Sequence, residues 1–275
     1  MHSNPPRLVM ECMIYAALGA GIGAFVGGLS WWQALLVCLG TFVAVNLLFI
    51  VFWYAVALIA GTRGPVENQS PICRHGCAII AEWLCAWGRV HAVIGGQDLL
   101  PEEGRFLWVC NHRSAFDPVV TADRLRRYNI AFLSKPSNLA LWGIGRLAWG
   151  AGFLAIDREN DREALKAILR AADFLKRGVC SIGLYPEGTR TKTGKLLPFH
   201  AGSFKIAQRG NVPIVLAAIQ GTENVGKNFP FRRTNVTLDI LEVIPAEKVK
   251  AMSTQELSAY CRGKIAEHLG EEVEA

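Results

Sequence analysis

The sequence predicts an α/β fold, a mixed sheet flanked by helices and preceded by an N-terminal two-helix membrane anchor. Two observations lead to this prediction. The first sixty residues contain two long uncharged apolar runs, whereas the rest of the chain alternates short β-like runs with helical stretches. Of the 275 residues, 51% are hydrophobic and the mean hydropathy is +0.25. This apolar excess is concentrated in the first sixty residues rather than spread through a soluble core.

The predicted anchor consists of the runs Met13 to Leu29 and Ala34 to Ala60. At about 1.5 Å per residue each can cross a hydrocarbon core of roughly 30 Å, the first only just. A cleaved signal peptide is the alternative for the first run, but a small-residue cleavage site followed by polar sequence is missing, and a second run follows at once. The connection Ser30-Trp31-Trp32-Gln33 is typical of a hairpin turn at the far interface.

Basic residues lie on the same side of both runs. Arg7 precedes the first, while Arg63, Arg74 and Arg89 follow the second. Since basic flanks are retained on the cytoplasmic side, we expect both ends of the anchor and the following domain to face the cytoplasm. The overall charge of +6 could attract either nucleic acid or anionic lipid as a binding partner. The anchor, together with the lack of a nucleic-acid motif, favours lipid headgroups.

The eight cysteines are scattered along the chain, and a cytoplasmic domain is kept reduced, so no disulfide framework is predicted. Cys73 and Cys77 are spaced by one helical turn, but no second pair completes a tetrahedral metal site. We interpret the cysteines as small buried hydrophobes.

The chain divides into a membrane hairpin at 1–62, an amphipathic connecting or interfacial helix at 63–88, and an α/β domain at 89–275. In the second region, Ile79 to Trp87 carries apolar residues at helical spacing, which fits a helix on the bilayer or over the sheet. Asn160 and Ser253 predict the starts of two later helices, ended by Gly178 and Gly270. The predicted strands are Val90–Ile94, Phe106–Cys110, Ile130–Leu133, Phe153–Ile156, Cys180–Leu184, Val212–Ile219 and Val236–Val243.

A histidine and an aspartate follow the second predicted strand, in an H-x4-D arrangement formed by His112 and Asp117. An imidazole is the usual base for removing a hydroxyl proton, and a carboxylate on its other nitrogen fixes the tautomer. Within one helix this spacing would leave the side chains about 140° apart. We therefore expect His112 on a loop and Asp117 at or near the next helix start, with Pro118 at its first position.

Two further clusters follow predicted strands. In Tyr185-Pro186-Glu187-Gly188-Thr189-Arg190, the glycine permits a tight turn and Arg190 offers a planar fork suited to phosphate. In Asp157-Arg158, the arginine is a second candidate phosphate contact, with Asp157 as its partner. Taken singly, each cluster is no more than a surface turn or ion pair.

Together the clusters resemble a family. The order Asn111–Asp117, Phe153–Arg158, Tyr185–Arg190 and Val212–Val215 resembles the four blocks of the glycerophospholipid acyltransferases, in particular the bacterial 1-acyl-glycerol-3-phosphate acyltransferases. The resemblance covers about Val90 to Pro245, and four blocks in order are far more specific than any one of them.

The resemblance implies transfer of a fatty acyl group from an acyl carrier protein or coenzyme A thioester to the sn-2 hydroxyl of lysophosphatidate, giving phosphatidate. His112 would be the general base and Asp117 its orienting acid. No metal, cofactor or covalent acyl-enzyme is implied, because the thioester is already activated. The expected location is the bacterial inner membrane, with membrane lipids as partners and the domain facing the cytoplasm. The residues implied to bind the acceptor are Lys135, Arg158, Glu187, Gly188, Thr189 and Arg190.

The chain departs from the family pattern at two places. Lys135 is followed by Pro136-Ser137-Asn138 where the family often has Lys-Glu-Leu, and His200-Ala201-Gly202 replaces an expected Lys-Lys-Gly. Donor or acceptor preference differs accordingly if these segments touch substrate, although a tolerated substitution is the favoured interpretation of His200. Leu141, Trp142, Ile144 and Leu147 fit either an acyl-chain tunnel or ordinary core packing.

Three alternatives stay open. An acyltransferase for glycerol 3-phosphate or another lysolipid would carry the same motifs. A noncatalytic membrane-binding protein would not need the intact pair of His112 and Asp117. A thiol hydrolase would use Cys110, but strand alternation predicts that this side chain points into the core.

Overall fold

The computed structural model describes residues 8–157, 159–191 and 193–271. Two apolar helices, α1 (Leu8–Val26) and α2 (Trp31–Ala60), form an antiparallel hairpin, and both are long and apolar enough to cross a membrane. The turn has the predicted four residues but lies three residues earlier, at 27–30. Ser30 is the N-cap of α2, and its backbone N–H donates to the Gln33 side chain at 3.0 Å. Trp31, Trp32 and Gln33 therefore belong to the first turn of α2, because the cap at Ser30 starts the helix at Trp31.

Nine further helices and seven strands follow in the described residues. The helices are α3 (Pro71–Trp87), α4 (Phe116–Arg124), α5 (Pro136–Leu139), α6 (Ile144–Gly150), α7 (Asp161–Lys176), α8 (Lys205–Gly210), α9 (Val225–Asn228), α10 (Ala246–Ala251) and α11 (Thr254–Leu269). The strands are β1 (Val90–Gly95), β2 (Leu107–Cys110), β3 (Ile130–Ser134), β4 (Leu154–Ala155), β5 (Ser181–Leu184), β6 (Ile214–Gln220) and β7 (Thr234–Ile244).

The strands form one mixed sheet in the order β1-β7-β6-β2-β5-β3-β4, and all neighbours are parallel except β6 and β7. The predicted α/β class is confirmed, and every predicted strand is found with ends shifted by a few residues. The central strands β2 and β5 are buried along their whole length, because helices cover both faces. Phe174 and Phe204 lie in the apolar layer on one face, and Trp108 and Val120 in the layer on the other.

The predicted helix starts at Asn160 and Ser253 are confirmed. The Asn160 side chain accepts from the backbone N–H groups of Arg162 and Glu163 at 3.2 Å each, and Ser253 forms a capping box with Glu256. The position predicted for Pro118 is wrong. α4 begins at Phe116, so Pro118 is its third residue, where the missing N–H still costs nothing because the first turn has no intrahelical acceptors.

α3 lies between the hairpin and the sheet, and it is longer than the predicted Ile79 to Trp87. The indole N–H groups of Trp83 and Trp87 both donate to Oδ1 of Asn46, at 3.0 and 3.1 Å, and Trp83 stacks on Phe49 of α2. On its other side, Cys85 packs into the core against β1. The helix therefore covers the sheet and also attaches the hairpin to it.

The strands β2, β5, β3 and β4 are neighbours and parallel, so their carboxyl ends lie along one edge of the sheet. Loops from these ends are where open α/β sheets place their ligands. His112 follows β2, the Glu187 cluster follows β5, and Lys135 follows β3. The fold thus brings three sequence motifs to a single edge, which we call the site edge.

Candidate active site

His112 and Asp117 are hydrogen-bonded to each other. His112 lies on the loop after β2 with its side chain 19% exposed, and Asp117 is the second residue of α4 and fully buried. Nδ1 of the imidazole is 2.7 Å from Oδ2 of the carboxylate. In the described part of the chain Nε2 makes no hydrogen bond, so this nitrogen is available to an incoming hydroxyl. A loop histidine facing a helix-start aspartate is the geometry expected from the five-residue spacing.

Asp117 also holds the loop around the histidine. Its Oδ2 accepts from the backbone N–H groups of Arg113 at 2.6 Å and Ser114 at 2.7 Å, while Oδ1 accepts from the hydroxyl of Thr222 at 2.5 Å. An ionised carboxylate has acceptor sites for all of these donors. Thr222 is fully buried just after β6, and the sequence analysis missed it. The only signal in the sequence that could have indicated Thr222 is its position as a hydroxyl residue after a strand that ends at the site edge.

Glu187 contacts the backbone rather than open space. Its Oε1 accepts from the backbone N–H of His112 at 2.5 Å, and its Oε2 accepts from the backbone N–H of Leu197 at 2.9 Å. The side chain is buried, and this burial raises the pKa of Glu187 against the opposing effect of both hydrogen bonds. Both carboxylate oxygens therefore already have protein partners, and one partner is the peptide of the histidine itself.

Tyr185 packs against one face of the His112 imidazole. Its ring stacks on His112 with 4.5 Å between ring centroids and 25° between planes, and its hydroxyl lies 3.5 Å from the Thr121 hydroxyl. Burial raises the pKa of Tyr185 well above its ordinary value, so the ring stays neutral beside the histidine. Held at its edge by Asp117 and on its face by Tyr185, the imidazole has one defined orientation.

The loop after β5 returns to the histidine. Gly188 has φ +76°, a left-handed conformation that glycine adopts without strain, and its N–H donates to the Tyr185 carbonyl. Three residues on, the N–H of Thr191 donates to the carbonyl of His112 at 3.1 Å. Between them, Thr189 and Arg190 are exposed. Arg190 therefore lies on the same loop that touches the backbone of His112.

Lys135 is exposed at the end of β3, directly beside β5 in the sheet. Among the described residues, neither Lys135 nor Arg190 forms an ion pair, so both ammonium and guanidinium groups are open to an anion. Arg158 lies outside the described residues. Asp157, expected as its partner, accepts from the backbone N–H of Glu159 at 3.1 Å.

Glu271 is a second carboxylate at this site and was not predicted. Its Oε1 is 2.6 Å from Nη2 of Arg113, the residue after His112, and its Oε2 accepts from the N–H of Leu196 at 2.6 Å. Leu196 and Leu197 are consecutive, so Glu271 and Glu187 hold the two ends of one short backbone stretch. Nothing in the local sequence around Glu271 indicates this contact, because its partners are far away along the chain.

A cavity of about 250 Å³ opens beside Tyr185. Pro186, Gly188 and His200 line it together with apolar residues that include Leu133 and Leu184. The lining also includes the polar residues Asp161 and Ser203, and such a mixture of apolar and polar residues fits an amphipathic molecule. A larger cavity of about 590 Å³, lined by Gly96 and Arg127, contains none of the residues described above.

The chemistry available to Cys110 is limited. Its side chain is fully buried, as strand alternation predicted, and burial together with Asp117 and Glu187 raises the pKa of its thiol well above the ordinary value. A thiol that resists ionisation is a poor nucleophile, which argues against a thiol hydrolase. Within the described ranges no group of three or more His, Cys, Asp or Glu side chains is arranged to hold a metal ion.

Comparisons with known proteins identify the family of this chain. A family model described as Acyltransferase matches residues 91–220. The 1-acyl-sn-glycerol-3-phosphate acyltransferases of Salmonella typhimurium and Escherichia coli K12 are each 31% identical over 171 residues, covering 61% of this chain and 68% of theirs. The enzyme of the same name from Haemophilus influenzae is 26% identical over 199 residues, covering 70% of this chain and 81% of its own.

The fold also matches a solved structure. The crystal structure of the 1-acyl-sn-glycerophosphate acyltransferase from Thermotoga maritima superposes with a TM-score of 0.60 at 23% identity, covering 84% of this chain and 98% of that one. The family model and the relatives identify the class of protein as an acyl-transferring enzyme. The chain belongs to the acyltransferase family and is of the 1-acyl-sn-glycerol-3-phosphate acyltransferase type.

Proposed function

We propose that the protein transfers a fatty acyl group from an acyl carrier protein or coenzyme A thioester to the sn-2 hydroxyl of 1-acyl-sn-glycerol 3-phosphate, giving phosphatidate. The observation that carries this proposal is the 2.7 Å contact between Nδ1 of His112 and the buried carboxylate of Asp117, which leaves Nε2 for the substrate hydroxyl. The names of the curated relatives supply the acceptor.

In the proposed reaction, Nε2 of His112 takes the hydroxyl proton as the acceptor oxygen attacks the thioester carbonyl. The positive charge that forms on the imidazole is stabilised by Asp117, as in the serine protease triad. The carbon–sulfur bond then breaks, and the imidazolium returns its proton to the leaving thiolate. The products are an ester and a free thiol, so the step requires no metal, cofactor or covalent enzyme intermediate.

The acceptor phosphate is proposed to bind Lys135, Arg158 and Arg190, with Thr189 as a neutral donor. Lys135 and Arg190 support this assignment because both are exposed at the site edge and form no ion pair within the described residues. The sequence resemblance placed Glu187 and Gly188 among the acceptor-binding residues. Their contacts favour positioning roles instead, Glu187 by holding the peptide of His112 and Gly188 by shaping the turn.

The experiment is acyl transfer by the detergent-purified enzyme, offered both thioesters with lysophosphatidate, glycerol 3-phosphate or a phosphate-free lysolipid. Phosphatidate formation that disappears in His112→Ala supports the proposal. His75→Ala is the matched control, because this exposed histidine lies on α3 away from the site edge. Transfer only to glycerol 3-phosphate or to the phosphate-free lysolipid would reassign the acceptor. Full activity in His112→Ala would refute the mechanism.

We also propose that the hairpin anchors the enzyme in the bacterial inner membrane with the α/β domain facing the cytoplasm. Two apolar helices and basic residues after the second support this orientation. Protease treatment of sealed inverted membrane vesicles tests it. The domain should be digested there and protected in intact spheroplasts; the reverse pattern would overturn the orientation.

A further inference from the structure

Three large apolar side chains after α5, the last of them at the start of α6, are open to solvent. Leu141 is 57% exposed, Trp142 is 81% exposed and Ile144 is 53% exposed, whereas Leu147 is buried. The first three therefore line neither a core nor a tunnel, contrary to both sequence interpretations. A contiguous exposed apolar group of this kind marks a contact surface.

This group is attached to the end of the hairpin. The Trp142 ring lies 4.1 Å from the Tyr54 ring of α2, centroid to centroid, and a Cβ at Gly143 would come within 2.8 Å of the same ring. Arg146 donates from Nη2 to the carbonyls of Leu58 and Gly61, at 3.0 and 3.3 Å. The segment is thus held against the last turns of α2 by stacking, close packing and hydrogen bonds.

The surroundings indicate what covers this group. Leu58 and Ile59 on α2 are themselves exposed, and the ring contact between Tyr54 and Trp142 joins the apolar surface of the hairpin to this group. From Lys135 to Gly150 the sequence contains Lys135 and Arg146 and no acidic residue. Apolar and aromatic tips with nearby basic residues are typical of segments that lie in the interfacial layer of an anionic bilayer.

We propose that Leu141, Trp142 and Ile144 form a second membrane contact beside the hairpin, which inserts into the interfacial layer and captures the lipid acceptor from it. Lys135 begins the same segment a few residues before Trp142, and it stands at the site edge. A lysolipid whose acyl chain lies against Trp142 therefore has its phosphate near this cation. The capture step depends on the proposed function, whereas the membrane contact does not.

The membrane contact is tested by photo-crosslinking. The full chain is reconstituted into vesicles of phosphatidylethanolamine and phosphatidylglycerol with p-benzoylphenylalanine at position 142, or at position 99 as the control. Leu99 is also exposed, but it follows β1 at the other edge strand of the sheet. Phospholipid adducts at position 142 and few at 99 are expected. Equal adduct yields at both positions would overturn the contact.

The capture step is tested by kinetics. Leu141→Ser combined with Trp142→Ser is expected to lower kcat/KM for long-chain lysophosphatidate in vesicles by roughly tenfold, because the lost apolar contact weakens interfacial binding. Activity on a six-carbon lysophosphatidate dissolved as monomer should stay within about twofold, as should Leu99→Ser on either substrate. Equal losses on both substrates, or no loss on vesicles, would overturn capture. A wild type inactive on both would instead refute the proposed function and leave the crosslinking result standing.

Discussion

The carboxylate of Glu187 accepts a hydrogen bond from the backbone N–H of His112, 2.5 Å away. The loop after β5 therefore supports the histidine whose other side is held by Asp117. The histidine is fixed by backbone and side-chain contacts from three strand ends, since Thr222 after β6 holds Asp117 in turn.

Asp117→Asn should lower kcat by about 10³-fold or more with a much smaller change in KM, because an amide no longer fixes the tautomer and charge of His112. Steady-state kinetics on the purified enzyme measures this. Asp98→Asn, an exposed site after β1, is the control and should match wild type. Loss of kcat by less than about tenfold would contradict the role of Asp117 as orienting acid.

Glu187→Gln should change the pH dependence of stability. The pKa of Glu187 is raised from 4.5 by burial, so the folded state binds more protons than the unfolded state above that pH. The contribution of this group therefore makes the free energy of unfolding fall as pH rises from 4.5 towards the raised value. The glutamine variant lacks this slope, and it loses about 1–3 kcal/mol because its amide N–H faces a backbone donor.

Unfolding in detergent from pH 4.5 to neutrality measures this slope. Glu103→Gln, at an exposed site before β2, should give the wild-type curve. If Glu187→Gln keeps the same slope as wild type, the buried carboxyl is not the source of the pH dependence.

Glu271→Gln should reduce kcat roughly three- to tenfold, since it weakens a charge-assisted hydrogen bond to Arg113 next to the base. The side chains are partly exposed, at 12% for Arg113 and 21% for Glu271, which keeps the effect moderate. Kinetics with a parallel unfolding curve separates positioning from stability. Glu267→Gln removes a more exposed carboxylate on α11 and should leave kcat unchanged; equal effects of the two variants would dismiss Glu271 as a positioning residue.

Arg190→Ala should raise KM for lysophosphatidate by about tenfold, because a guanidinium contact to phosphate is lost. Turnover of a phosphate-free lysolipid, where wild type shows any, should not change. Arg127→Ala serves as the control, since this exposed arginine is not at the site edge. A uniform loss with both acceptors would point to a structural role for Arg190 instead.

Residues close in sequence were the predictable part of this site. His112 and Asp117 follow one strand, and Glu187 to Arg190 follow another, so the parallel arrangement of β2 and β5 was enough to bring them to one edge. Glu271 and Thr222 were missed because their contacts span 158 and 105 positions of the chain. Such pairs depend on the path of whole helices, and no local pattern encodes that path.

The exposed group at Leu141, Trp142 and Ile144 was misread for a different reason. Apolar content alone indicates that a side chain avoids water, and it does not separate protein interior from lipid. The distinction needed the position of the segment beside Tyr54 on α2. Pro118 was misplaced by two residues because helix starts are the least well determined part of a sequence-based assignment.

Asn46 determines how α2 is oriented relative to the rest of the molecule. α2 runs antiparallel to α3, with Ala60 near Cys73 and Asn46 near Trp87, so the free half of α2 projects beyond the end of α3. α3 ends just before β1, whose first residue lies at the edge where β2 ends. Rotating α2 about its axis would break both indole hydrogen bonds and leave the amide oxygen of Asn46 unpaired in an apolar setting. The amide thus fixes the rotation of α2 relative to α3, and with it the direction in which the free half of the hairpin projects from the site edge.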